Sequence, residues 1–326
     1  MRSVVTGGAG FIGSHLIEEL VRRGSEVVCV ERPGASRRWL RGLDLTWVEC
    51  GVQDEAALAT ALAGADVVFH LAGLTEARSA REFHTVNTEG TEHVLRAAAR
   101  HNGHAPHVIL MSSLAAIGSC QNGEPLGPDT APRPLSAYGQ SKLEAEVLMH
   151  GYADRVPGTI VRLTSVYGPR ERGVLKFFKL VQRGIALGVG PWDRQVSMIY
   201  VKDVVQGLLA VADRQVKGIR TYCLAHPETV SWRSFAAAVG AALHRHPLLV
   251  SLPVAAARIV ALGAELCAAL QGTAAVLNRG RVRELTQHSW ACDASRAVCE
   301  LGFNPEFPIA RGVPATAAWY REAQWL

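Results

Sequence analysis

A chain of 326 residues with 48% hydrophobic side chains has room for one large folded unit or two smaller ones and buries a sizeable core, which excludes a disordered polymer. Its net charge of +5 is mild, and its small arginine clusters, Arg37, Arg38 and Arg41 and then Arg279, Arg281 and Arg283, read as solvated faces and not as a nucleic-acid patch. Seven cysteines without a C-x-x-C pair fit reduced thiols in a cytoplasmic protein, and no signal peptide is expected before the first strand.

That strand is Met1 to Val5. It runs into Thr6-Gly7-Gly8-Ala9-Gly10-Phe11-Ile12-Gly13 and then a helix whose apolar residues, Ile12, Leu16, Ile17, Leu20 and Val21, fall at helical spacing before Gly24 stops it. A glycine turn between strand and helix aims backbone N–H groups and the positive helix end at one point, a place for an anion such as a pyrophosphate. Glycines are needed there because side chains would block the phosphate or the packing of helix on strand. A second strand, Glu26 to Val30, ends on Glu31, placed to accept hydrogen bonds from an adenosine ribose. The order of these pieces points to dinucleotide binding.

Pro33 to Ser36 predict a turn and then a short arginine-rich helix. Further strands are expected at 46–50, 66–71, 107–111 and 159–163, and helices at 54–63, 83–100 and 137–149. The third of these strands runs out into Ser112-Ser113, and Ala72-Gly73 follows the second. Alternation of this kind means a parallel sheet with helices on both faces, an α/β doubly wound fold of Rossmann type. Ligands bind beyond the carboxyl ends of such strands, where Gly73, Ser113 and Ser165 fall. Past Pro169 the order changes: helices at 173–183, 201–213, 232–244, 255–270, 295–301 and 313–325, with a short strand at 222–224. The reading is a nucleotide-binding domain over 1–170, with 201–224 returning to it, and a smaller, mostly helical substrate domain over 171–200 and 225–326. The most apolar stretch, Leu248 to Leu270, is interrupted by Pro253, Arg258 and Glu265, a poor membrane span. It reads as a loop and an amphipathic helix that packs on or covers the substrate site, with a role at a membrane surface as the alternative.

Tyr138 and Lys142 lie four apart, so a helix stacks them on one face. A free phenol titrates at about pH 10, and a neighbouring ammonium together with a positive nicotinamide ring would lower that value. Tyr138 is then a candidate general acid/base at a substrate oxygen that Ser113, or the adjoining Ser112, holds. His101, His104 and His107 read as a loop cluster, and His244 and His246 as a helix end. Neither group has companions at metal-ligand spacing, and no metal is expected.

The spacing Gly7-x-x-Gly10-x-x-Gly13 resembles that of the extended short-chain dehydrogenase/reductase superfamily, and the resemblance covers nearly the whole chain. It implies Ser113, Tyr138 and Lys142 as the catalytic set, with Lys142 also holding the nicotinamide ribose. It places cofactor contacts at Gly7, Gly10, Phe11, Ile12, Gly13, Glu31, Arg32, Val52, Leu71, Ala72, Gly73, Tyr138, Lys142 and Val166. Asn87 resembles the family's helix asparagine, a structural and proton-relay residue. Departures bear on the substrate. Ser165 stands where sugar-nucleotide enzymes carry Asn, Val196 where they carry a phosphate-gripping Arg, and Leu114-Ala115 where dehydratases carry Asp-Glu. What remains resembles the branch of 3β-hydroxysteroid dehydrogenases and dihydroflavonol reductases, which implies hydride transfer at a ketone or secondary alcohol of an apolar small molecule. Gly51 replaces an Asp of the adenine site, with Val52 left for a backbone contact. Glu31 favours NAD, whereas Arg32, Arg37 or Arg38 would suit NADP. A homodimer built on the Asn87 and Tyr138 helices is a further implication. The alternatives are a nucleotide-sugar epimerase of the same fold and a non-catalytic dinucleotide-sensing regulator.

Overall fold

The computed structural model describes residues 1–100, 105–120, 123–275 and 277–326. Strand β1 (Arg2–Thr6) turns through the glycines into α1 (Phe11–Arg22), followed by β2 (Glu26–Glu31) and β3 (Thr46–Glu49). Next come α2 (Glu55–Ala61), capped by the Asp54 carboxylate on the Ala57 N–H, and β4 (Val67–His70). The helix expected at 83–100 starts earlier and is not uniform. It comprises α3 (Ala80–Phe83), a π-helical segment His84–Glu89 that contains Asn87, and α4 (Gly90–Ala99). Then follow β5 (His107–Ser113), a 3₁₀ turn Leu114–Ala116, α5 (Ala137–Gly151) and β6 (Gly158–Leu163).

The remainder adds β7 (Ser165–Tyr167), α6 (Gly173–Gln182), β8 (Ile185–Val189), β9 (Gln195–Tyr200), α7 (Val201–Arg214) and β10 (Ile219–Leu224). It ends with β11 (Thr229–Ser231), α8 (Trp232–Leu243), β12 (Leu248–Leu252), α9 (Val254–Gln271), α10 (Arg279–Leu285), β13 (Ser289–Trp290), α11 (Ser295–Leu301) and α12 (Ile309–Glu322).

Seven strands form one sheet in the order β10-β6-β5-β4-β1-β2-β3, every pair parallel. The central strands read as continuous apolar runs because both faces are covered. Val5, Phe69 and Ile109 join Leu16, Ile17 and Leu20 of α1 and Val204 and Leu208 of α7 on one face. Val4, Val68 and Leu110 join Val94, Leu95 and Met149 on the other. A separate core lies past β6, where Tyr167, Phe178, Tyr200, Phe235 and Tyr320 gather around β9. β9 is flanked by β11, β13 and β7, and β8 pairs in parallel with β12. These short strands and α10 are absent from the pattern read along the chain, because the strands are only two to six residues long and pair with distant segments, and α10 has only seven residues.

Three expectations need correction. The arginine-rich helix after Ser36 does not form. Gly34 takes a positive φ of 77°, Arg37 lies over the Trp47 ring at 4.4 Å, and Arg38 lies over Trp39 at 4.2 Å, so cation–π contacts hold that stretch in turns. His107 is the buried first residue of β5, within 3.0 Å of the Thr159 hydroxyl, whereas His101 and His104 lie outside the described residues. Pro253 stands at the N-cap of α9 and does not break it, so among the described residues this one helix is long and apolar enough by length and composition to cross a membrane. It is also inverted for an amphipathic helix: its buried residues are Ala257, Ala261 and Ala268, while Ile259, Leu266 and Leu270 face outward.

Candidate active site

The glycine turn forms a cradle at the carboxyl ends of β1 and β4. A Cβ on Gly7 would stand 2.7 Å from the Ala72 nitrogen, and one on Gly13 would stand 2.3 Å from the Gly7 carbonyl oxygen. No side chain caps the N-terminus of α1, where Gly10 is the N-cap and Phe11 and Ile12 form the first turn, so its amides stay available to an anion. Glu31, at the end of β2, accepts from the Ala9 N–H at 2.8 Å, and burial raises its carboxyl above the usual range. Arg32 beside it is exposed. The Val52 carbonyl is taken by His93 at 3.0 Å, and its side chain packs on Gly90. Half-buried Leu71 and Val166 face the sheet core, Val166 from β7.

Behind the cradle, the Thr6 hydroxyl lies 2.8 Å from His70 Nδ1, and His70 Nε2 lies 3.0 Å from the Thr91 hydroxyl. Thr91 itself donates to the Asn87 carbonyl at 2.6 Å. The Thr91 proton is therefore committed, so His70 carries its own proton on Nε2 and accepts from Thr6 through Nδ1. Burial pulls the His70 pKa down to about 3, which keeps the ring neutral.

Ser136 caps α5 by accepting from the Gly139 N–H at 3.0 Å, which sets Tyr138 in the first turn. Gly139 is packed so closely on the preceding turn that a Cβ would stand 2.2 Å from the Ala115 carbonyl oxygen. This approach brings the half-buried Tyr138 phenol into a hydrogen bond with Ser113, whose hydroxyl also caps the 3₁₀ turn through Ala115 at 3.1 Å. Ser112 points the other way. It is buried and donates to Glu146, whose carboxylate also binds Arg162 through bonds of 2.7 and 3.0 Å.

Lys142 is buried and donates to the Met111 carbonyl at 2.9 Å; burial pulls its pKa down to about 8, with Glu146 opposing. The expectation that this ammonium lowers the tyrosine is not met. Burial raises the Tyr138 phenol above its ordinary range, Glu284 adds to the rise, and Ser113 and Arg281 oppose it.

Lys142 does face the cradle. Its Nζ lies 3.1 Å, and Asn87 Oδ1 3.0 Å, from where a Cβ on Gly73 would stand. Asn87 Oδ1 accepts from the Leu74 N–H at 2.7 Å, and its amide donates to the Leu74 carbonyl at 3.0 Å and to the Ser141 hydroxyl at 2.9 Å. Ser141 in turn donates to the Tyr138 carbonyl at 2.8 Å. The π-helical turn thus ties the loop after β4 to the Tyr138 helix. With side-chain-free glycine walls and a buried cation and amide at their rim, these residues fit a dinucleotide.

A cleft of about 1230 Å³ opens beside Tyr138, between α3, the start of α5, α9 and α10. Phe83, Leu135, Leu262 and Leu266 give it apolar walls. Glu284 lies in it, accepting from the Ser136 hydroxyl, with its carboxyl raised by burial. Nothing in the local sequence marks Glu284, because α10 is invisible as a helix beforehand. Ser165 is exposed on β7, and Val196 is buried in the core around β9. The nearby Arg194 is committed to the carbonyls of Val189 and Leu285, at 2.8 and 2.6 Å.

The family model of the NAD dependent epimerase/dehydratase family matches residues 3–225. Among curated proteins, the chain is similar to a ceramide reductase of Caulobacter vibrioides, 29% identical over 322 residues that cover 99% of this chain and 95% of that protein. It is also similar to 4-hydroxy-2-methyl-3-oxo-4-farnesyl-3,4-dihydroquinoline-1-oxide ketoreductase of Stigmatella aurantiaca, 30% identical over 251 residues, with 72% and 71% covered. Among solved structures, the UDP-glucose 4-epimerase of Thermus thermophilus in complex with NAD superposes with a TM-score of 0.80 at 22% identity, covering 99% of this chain and all of that one, which shows the shared fold.

Proposed function

The chain belongs to the NAD-dependent epimerase/dehydratase family, and from that premise we propose that it reduces a ketone carried by a long, mostly apolar small molecule, with NADH as the reductant. The observation that carries this reading is the cleft. Tyr138 lines it, Phe83, Leu135, Leu262 and Leu266 give it apolar walls, and Arg78, Arg279, Arg281 and Arg283 bring charge to it. Two relatives are named for reductions, one of ceramide and one of a farnesylated dihydroquinoline oxide. The resemblance expects a diphosphate-gripping Arg of sugar-nucleotide enzymes at Val196, and this side chain is apolar and buried in the core around β9.

Bound in the glycine cradle, the dinucleotide supplies the hydride. Tyr138 donates its proton to the ketone oxygen, and its raised pKa keeps the phenol in the donating form at neutral pH. The Ser113 hydroxyl, already bonded to that phenol, orients the same oxygen. Lys142, whose Nζ stands beside Gly73, would hold the nicotinamide ribose, and Asn87 fixes the loop after β4 next to it. Glu31 would accept from an adenosine ribose 2′-hydroxyl and would repel a 2′-phosphate, while Arg37 and Arg38 are held on tryptophan rings, which favours NAD over NADP.

The test is consumption of NADH and NADPH, followed by absorbance, with a ketone bearing a long acyl chain and with UDP-glucose in parallel. We expect turnover of the acyl ketone with NADH, lowered at least about 10²-fold by Tyr138→Phe. Epimer formation from UDP-glucose without net cofactor turnover, or Tyr138→Phe with full activity, overturns the reading.

A further inference from the structure

Helix α9 carries its small side chains inward and its large apolar ones outward. Ala257 and Ala261 pack on Val282 of α10 and on Val189 and Leu252 of the β8–β12 pair. On the opposite side Ile259 is 72% exposed, Leu266 61% and Leu270 90%. At 100° per residue these three and Leu262 form one stripe along the helix, whereas Arg258 and Glu265 share a flank. The apolar surface continues beyond the helix. In the parallel register Leu248 stands opposite Ile185, and Val250 opposite Leu187, on the sheet face whose inner end lies under α9. Ile185, Leu187 and Leu248 are exposed there.

We infer that this face is a docking surface for an anionic lipid bilayer, with α9 lying in the plane of the membrane interface. Two observations choose this occupant. The first is charge. Arg258 lies on one flank of α9, and Arg279, Arg281 and Arg283 lie on the neighbouring α10, all exposed. The acids among them are Glu265, which pairs with Arg279 at 2.8 Å, and Glu284, which is bound to Ser136 and pairs with Arg281 at 3.8 Å, so Arg258 and Arg283 keep their charge unpaired by these acids. An apolar stripe with a basic margin is the pattern that binds anionic headgroups. The second is continuity. Leu262 and Leu266 belong both to the stripe and to the wall of the cleft that Tyr138 lines. An apolar molecule leaving the bilayer at this face meets Leu262 and Leu266, which lead into the cleft, with the arginines of α10 beside them. Crossing the bilayer is a poorer use of α9, because its alanine side is packed on α10.

The surface stands apart from the catalytic reading: vesicle binding without reduction of any acyl ketone would keep this inference and remove the proposed function. The test is flotation of the purified full chain with vesicles of phosphatidylcholine, alone or mixed with phosphatidylglycerol. The wild type is expected to float with the mixed vesicles, less with phosphatidylcholine alone, and less at high salt. Ile259→Ser combined with Leu270→Ser, neither of which lines the cleft, should lower the bound fraction at least about tenfold with the melting temperature unchanged. Failure of the wild type to float, or equal flotation of the double variant, overturns the inference. So does a dimer in size-exclusion chromatography that the double variant splits, since a second copy would then cover the face.

Discussion

Ser112 and Ser113 are neighbours on β5, and the pleat sends their hydroxyls to opposite sides of the sheet. Ser113 reaches the Tyr138 phenol, and Ser112 joins the buried Glu146–Arg162 pair. Ser113→Ala should therefore lower kcat by about 10²-fold with little change in stability. Ser112→Ala should leave kcat within a few-fold and cost about 1–3 kcal/mol, because it strips a donor from a buried carboxylate. Steady-state kinetics and urea titration of the two variants separate the roles, and a reversed pattern would move the substrate oxygen to Ser112. The residues with special spacing, Gly7, Gly13, Tyr138 and Lys142, were legible from the sequence because their chemistry is local. Glu284 was not, since only the packing of α10 against α5 gives it a place near the phenol.

The π-helical segment His84–Glu89 is an element that hydrophobic periodicity cannot reveal, because one wide turn leaves the apolar stripe nearly unchanged. Its product is the placement of Asn87, whose three hydrogen bonds join Leu74 to Ser141. Asn87→Ala leaves the Leu74 amide and carbonyl without their partner. It should lower stability by about 2–4 kcal/mol and raise the KM for NADH more than it lowers kcat. Asn87→Asp keeps the acceptor for the Leu74 N–H and should fall between the two in melting temperature. Equal melting of wild type and both variants would show that the loop does not depend on this side chain. The same limit explains the missed strands: β8 and β12 are held by each other, and neither alternates strongly enough to announce itself.

Among the described residues of the whole molecule, three histidines resist protonation. Burial pulls His15 down to about 4, His70 to about 3 and His107 to about 4, from an ordinary value of 6.5. The unfolded chain takes up protons on all three near pH 6.5, and the folded chain does not until near pH 4, so the stability they allow is complete above 6.5 and falls as the pH drops. The slope from three such groups reaches about 4 kcal/mol per pH unit. Urea midpoints measured between pH 7 and pH 4.5 should fall steeply, and His107→Gln should remove about a third of the steepness. A flat profile would mean that these rings are already charged in the native protein. At this scale the parallel sheet was legible in the alternation of strands and helices, while the sheet around β9 was not, because its strands are short and drawn from remote segments.

Strand β10 closes the outer edge of the large sheet against β6, although β7, β8 and β9 intervene in the chain. During synthesis the backbone of β6 consequently waits, unpaired along one side, until the ribosome has released the polypeptide as far as Leu224. A transcript cut short anywhere in that interval leaves a naked row of amides and carbonyls, an invitation to stick to another nascent chain.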